Sequence, residues 1–190
     1  MHILLAYLAF LLAATAPARG TISGVVRPVG RLGAVVWLEG GPPAPRVARP
    51  RITISQRGAR FRPPLSVAVV GQEIAFPNDD HITHNVFSVS TSKSFDTELY
   101  RPGSKPVIRL ERPGIVDLFC KIHEHMHATI VVVPGPHHAR TDLGGGFSLG
   151  GVAPGKYRLM AYDPETGTAS TELRVPAGEG ATVELQTRPR

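Results

Sequence analysis

The apolar positions of this chain come in short runs punctuated by glycine and proline. Ile52 to Ser55, Arg60 to Arg62, Leu65 to Val70 and Glu73 to Phe76 each predict a brief strand, and Val107 to Leu110 predicts another after the Pro102-Gly103 turn. Between Ile115 and Cys120 the alternation places Val116, Leu118 and Cys120 on one face and Asp117 on the other, so Cys120 is expected to point inward. A further apolar strand runs from Thr129 to Val133. Near the C-terminus, Phe147 to Leu149, Lys156 to Tyr162, Ser170 to Val175 and Thr182 to Leu185 read as four short strands between Gly or Pro turns. No stretch of ten or more residues carries a 3.6-residue apolar period, and 20 glycines and 18 prolines favour turns over helices. The expected fold class is all-β.

The first 18 residues read differently from the rest. Met1 to Ala18 holds one continuous apolar run followed by small residues ending Ala-Pro-Ala, the pattern of a secretory leader cleaved after Ala18. The run is shorter than the roughly 20 residues a membrane span needs, so no stable membrane insertion is expected after cleavage. A periplasmic or otherwise exported protein is the expectation. The formal net charge of +6 belongs to the part beyond the leader, and it is uneven. Between Glu39 and Glu73 there is no acidic residue, while Arg46, Arg49, Arg51, Arg57, Arg60 and Arg62 all fall there. Such a face either is simply solvated or steers an acidic partner; nucleic acid is a poor partner for an exported protein.

An exported chain with a single cysteine cannot form an internal disulfide, and an exposed free thiol is a liability in an oxidising compartment. Metal ligation resolves the difficulty. Phe119 to Val133 reads FCKIHEHMHATIVVV, so His123 lies three and Met126 six positions after Cys120. A thiolate, imidazoles and a thioether form a soft set suited to Cu(I) and tolerant of Cu(II), and a trigonal site with a weak axial thioether marks electron-transfer copper. The second imidazole must come from elsewhere. His84, in FPNDDHITHNVFS, is the candidate, on a segment that a strand end could carry to the Cys120 loop. Glu124, His125 or His127 could replace Met126, and zinc could occupy a Cys-His-His set. Asn78 and Asp79 are expected to serve the turn through their own backbone. Trp37 reads as a core or inter-sheet residue, and Phe87, Phe95 and Phe119 read as core residues.

These residues carry a resemblance. From about Arg51 to Val133 the chain resembles the cupredoxin, or plastocyanin-like blue-copper, family: Phe76, Asn78, His84 and Asn85 match one half of the pattern, and Cys120, His123, Met126 and Thr129 to Val133 match the other. The short loop, with Met three after His, is similar to amicyanin and to methylamine-utilisation-like proteins. The resemblance implies a Greek-key β-sandwich holding one type 1 copper ion on His84, Cys120, His123 and Met126. It also implies that Asn85 ties the two ligand segments together beside the thiolate. A second resemblance begins at Thr141, where TDLGGGFSLGGVAPGKYRL is similar to the carboxypeptidase-regulatory-like, transthyretin-type β-sandwich. The opening GTISGVVRPVGRLGAVVWLEG resembles that module's first strands.

The implied organisation is a leader over 1–18, first strands of the smaller module or an extension of the copper domain over 19–45, a cupredoxin over 46–136, and the regulatory-like sandwich over 137–190. The implied function is single-electron transfer between redox partner proteins, not catalysis. Copper binding and delivery without redox cycling is the alternative, and a structural sandwich stabilised by its metal is a third reading. No nucleophile–histidine–acid arrangement and no glycine-rich phosphate cradle supports a hydrolase or nucleotide enzyme.

Overall fold

The computed structural model describes residues 17–43 and 48–189. The leader up to residue 16 and Arg46 of the basic run therefore lie outside the described residues. Seventeen strands and no helix occur among the described residues. In chain order they are β1 (Gly20–Arg27), β2 (Val35–Gly40), β3 (Ile52–Thr53), β4 (Ser55–Gln56), β5 (Phe61–Arg62), β6 (Leu65–Val69), β7 (Glu73–Ala75), β8 (Phe87–Ser90) and β9 (Lys93–Asp96). These are followed by β10 (Val107–Arg109), β11 (Gly114–Phe119), β12 (His127–Val133), β13 (His138–Arg140), β14 (Gly146–Val152), β15 (Gly155–Asp163), β16 (Gly167–Val175) and β17 (Ala181–Gln186).

Two β-sandwiches result. In the first, a five-stranded sheet ordered β6-β12-β11-β8-β9 faces a three-stranded sheet ordered β10-β7-β3. Between them lie Ile54, Ile74, Phe76, Leu110, Val116, Leu118, Ala128, Ile130 and Val132, all buried. The second sandwich sets β14-β1-β17 against β13-β2-β15-β16 around Ile22, Val26, Val36, Leu149, Val152, Leu159 and Leu185. Its strands β1 and β2 precede the first sandwich in sequence and β13 to β17 follow it.

β12 explains how the two meet. Ala128, Ile130 and Val132 enter the first core, while Val131 and Val133 emerge on the opposite face and pack with Leu65 against Val35, Trp37 and Tyr162 of the second sandwich. A strand buried on both faces needs a nearly continuous apolar run, and Ala128 to Val133 reads so, with Thr129, bonded to Asp117, as its one polar residue. Burying side chains of this size contributes about 1.5–3 kcal/mol each, so the seam is a substantial interface.

The strand expected at Ile52 to Ser55 is divided. Ile52 and Thr53 pair with β7, whereas Ser55 and Gln56 pair with β5 in a separate hairpin. The buried Ile54 between them donates its N–H to the Ala75 carbonyl at 3.0 Å. The β8–β9 hairpin is an addition to the expected strands: its runs, FSVS and KSFD, are too polar to stand out by hydropathy.

Candidate metal centre

After β7 the chain enters Phe76-Pro77-Asn78, and Asn78 winds the next turn. Its Oδ1 accepts the Asp80 N–H at 3.1 Å, and its Nδ2 donates to the carbonyls of Ile82 at 2.8 Å and Tyr100 at 3.3 Å. This is a side chain standing in for backbone in a turn, as its residue type predicts. Beyond it, His84 exchanges backbone hydrogen bonds with Tyr100 at 3.2 and 2.8 Å, and the imidazole is fully buried. Tyr100 in turn donates its hydroxyl to the Phe76 carbonyl at 3.0 Å and contacts the Gln56 amide. Burial holds the Tyr100 phenol well above its ordinary value of 10.0, against the lowering effect of the Gln56 hydrogen bond.

The other candidates follow β11. Val116, Leu118 and Cys120 all join the first core, as alternation requires, and Asp117 lies on the opposite face bonded to Thr129. Cys120 is 5 % exposed. The loop then turns back: Met126 donates its N–H to the His123 carbonyl at 2.9 Å, His123 is half-buried and Met126 is buried in the same core as Cys120.

Three donor atoms converge. Cys120 Sγ stands 3.9 Å from Nδ1 of His84 and 3.9 Å from Nδ1 of His123. All three ligand-type atoms lie within 4.8 Å of one another, and the two imidazole centroids are 4.8 Å apart. A point equidistant from atoms so spaced lies about 2.5 Å or less from each, close to metal–thiolate and metal–imidazole bond lengths of about 2.0–2.3 Å. One buried sulfur and two ring nitrogens on an apolar floor are a donor set that fits copper or zinc.

The surrounding layer is ordered by hydrogen bonds. His84 turns its other nitrogen, Nε2, to Asp80 Oδ2 at 2.8 Å. Asp80 also accepts the N–H groups of Gly58 at 2.6 Å and Ala59 at 2.8 Å, at the tip of the β4–β5 hairpin. Partial burial raises the Asp80 carboxyl, but the Ala59 and Gly58 amides and His84 together outweigh it and hold the group below its ordinary value. Asn85, fully buried, accepts the Lys121 N–H at 2.8 Å and donates to Asp96 Oδ1 at 3.1 Å. Asp96 also pairs with the Lys121 ammonium, whose hydrogen bond, followed by those of Asn85 and the Glu98 N–H, lowers the carboxyl against a raising effect of burial.

The remaining histidines of the described residues are engaged elsewhere or exposed. His81, His125 and His127 are exposed; His125 Nε2 donates to the Ala59 carbonyl at 3.1 Å, and His127 faces Asp117 at 3.3 Å. His137 and His138 lie beyond β12, where burial pushes both imidazoles down. Trp37 belongs to the seam between the sandwiches. Phe87 and Phe119 are half-buried and pack on each other, centroids 5.8 Å apart, with Phe119 stacked on His127. They are not core residues, because Phe119 alternates outward between the inward Leu118 and Cys120. The sequence offered no signal that selects Asp80: three polar residues stand in a row, and only the distant Gly58-Ala59 tip distinguishes the third.

No family model matches this chain, and no curated protein matches it. Solved structures do. A reduced variant of amicyanin aligns with 20 % identity and a TM-score of 0.42, covering 46 % of this chain and 86 % of that one. A purple cupredoxin from Nitrosopumilus maritimus aligns with 19 % identity and a TM-score of 0.40, covering 43 % of this chain and 99 % of that one. A copper-containing nitrite reductase from Thermus scotoductus aligns with 20 % identity and a TM-score of 0.44 over 60 % of this chain and 28 % of that one.

Proposed function

We propose that this chain is an exported, cupredoxin-type copper protein that carries single electrons, in which His84, Cys120 and His123 would hold one type 1 copper ion and Met126 would add a thioether donor. The observation that supports this reading is the convergence of Cys120 Sγ with two imidazole Nδ1 atoms at 3.9 Å each. Copper bound there supplies a one-electron redox couple. The chain's own contribution is rigidity: Asp80 holds the His84 ring, Asn85 ties the two ligand segments, and the sulfur is buried away from solvent. A site held by the same contacts in both oxidation states needs little rearrangement on electron transfer.

In this reading the copper sandwich is an insert in a regulatory-like module built from β1, β2 and β13 to β17, and the chain is a carrier, not an enzyme. The redox partner presents an acidic face. Arg57, Arg60 and Arg62 support that assignment: they are exposed, stand on the hairpin that reaches the site, and have no ion-pair partner among the described residues. Among the described residues no helix is long and apolar enough to cross a membrane.

Copper delivery is a second reading, favoured by the half-buried His123 and the exposed His125 beside it, ring centroids 6.0 Å apart. The absorption and paramagnetic-resonance spectra of the copper-loaded protein separate the two. Electron transfer requires an intense visible thiolate-to-Cu(II) band, lost in Cys120→Ser, and reversible voltammetry. Copper that is readily chelated and gives no such band would sink the electron-transfer reading.

A further inference from the structure

The β4–β5 hairpin contributes no ligand atom to the centre, yet its tip touches both segments that do. The Arg57 N–H donates to the Arg60 carbonyl at 3.0 Å, closing a turn in which Gly58 and Ala59 are both left-handed, φ 64 and 48 degrees. A non-glycine residue in that region is held there by its surroundings. The conformation aims two successive N–H groups at the Asp80 carboxylate, at 2.6 and 2.8 Å, and leaves the Ala59 carbonyl to accept from His125 at 3.1 Å. The Asp80 side chain is only 13 % exposed. Its neighbours cannot replace it: Asn78 is occupied in its own turn, and Asp79 is exposed.

A carboxylate facing Nε2 of an imidazole accepts, so Nε2 carries the proton and Nδ1 is left as a lone pair. In His84 that free Nδ1 is the atom 3.9 Å from Cys120 Sγ. We infer that Asp80, seated in the Gly58 and Ala59 amides, is the positioning residue of the metal centre, fixing His84 in its Nε2-protonated tautomer and biasing the site toward Cu(II) over Cu(I). The inference rests on the copper reading for its second half only. Two physical effects give the sign. A carboxylate partner makes the imidazole a stronger donor, and a negative charge one ring away from the ion favours the more highly charged state. Because the carboxylate is already held by backbone amides, it does not have to reorganise when the metal changes charge.

The test compares wild type with Asp80→Asn, Asp80→Ala and, as a charge control, Asp79→Asn. Nitrogen NMR of the imidazoles in the metal-free protein at neutral pH reads the tautomer without copper. Wild type is expected to show His84 with Nε2–H only, and Asp80→Ala a mixture with Nδ1–H. In the copper-loaded protein, Asp80→Asn and Asp80→Ala are expected to lower the Cu(II)-to-Cu(I) affinity ratio by about tenfold, the low end of losses on removing an outer partner of a metal-bound histidine. That is a rise of about 59 mV in a one-electron potential. An unchanged tautomer and an unchanged ratio in the Asp80 variants, or an equal shift in Asp79→Asn, would overturn the inference. If Asp80→Ala does not fold, Asp80→Asn, which keeps an oxygen for the hairpin amides, decides the ratio. A wild type lacking the visible thiolate band would defeat the copper reading and leave the tautomer result standing.

Discussion

The side-chain carbonyl of Asn85 accepts the backbone N–H of Lys121 at 2.8 Å, joining the residue after His84 to the residue after Cys120. Two segments 36 positions apart are thereby locked at the point where their metal-ligand candidates meet. Replacing Asn85 with Ala leaves the Lys121 amide without its acceptor in a partly buried setting. The expected cost is about 1–3 kcal/mol, measured by denaturant unfolding of the metal-free protein.

Met126 is 1 % exposed and packs in the core that contains Cys120. Met126→Leu conserves volume, so a stability loss below about 1.5 kcal/mol is expected. Losing a thioether donor weakens Cu(II) more than Cu(I), and voltammetry should show the potential rise. A potential unmoved by this change would remove Met126 from the ligand set.

Tyr100 gives the fold an alkaline limit. Its phenol, held above its ordinary 10.0 chiefly by burial, stays protonated in the folded chain at a pH where the unfolded chain has already ionised. The stabilisation is therefore complete below about pH 10 and is lost as pH rises toward the folded value. Unfolding free energy should fall with pH in that range, and Tyr100→Phe should flatten the slope.

Trp37 stands at the seam with Leu65, Val131, Val133 and Tyr162. Trp37→Ala is expected to cost about 3–5 kcal/mol, as large core truncations do. If the sandwiches unfold as one unit, calorimetry of the wild type shows a single transition; in the variant the two should separate or fall together in temperature. A variant indistinguishable from wild type would mean that the seam contributes little.

The arginines of the β4–β5 hairpin, which have no ion-pair partner among the described residues, predict salt-dependent kinetics. Oxidation of the Cu(I) protein by hexacyanoferrate(III), an anion, should slow as ionic strength rises and the screening length falls to about 10 Å at 0.1 M. The Arg57→Ser, Arg60→Ser double variant should react more slowly at low salt and show a flatter salt dependence, read by stopped-flow absorbance.

What could be read directly was local. Alternation in Ile115 to Cys120 places Val116, Leu118 and Cys120 inward because side chains on a strand change face at every residue. The same rule, applied to Phe119, puts it on the outer face, where apolarity alone had suggested core. The three-residue steps from Cys120 to His123 to Met126 keep candidate donors on one loop, and the loop's length is set by the sequence itself. Turn chemistry was equally local: Asn78 satisfies Asp80 and Ile82, both within four positions.

Contacts between distant segments were decided by the tertiary structure. That His84 could meet Cys120 was suggested by a strand end within reach of the Cys120 loop, and the meeting itself follows from the pairing of β8 with β11, which sets Phe87 opposite Phe119 and so brings the residues before β8 beside those after β11. Asp80 rather than Asp79 turns to His84 because the Gly58-Ala59 tip arrives beside it, and a carboxylate takes the orientation in which its oxygens find donors. The division at Ile54 follows similarly: β7 and β5 compete for neighbouring residues, and one strand cannot pair with both. Residue order determined the periods, turns and loop spacings, since these depend on neighbours along the chain; the hydrogen-bond partners of the centre depend on which strands pack together, and only the folded core settles that.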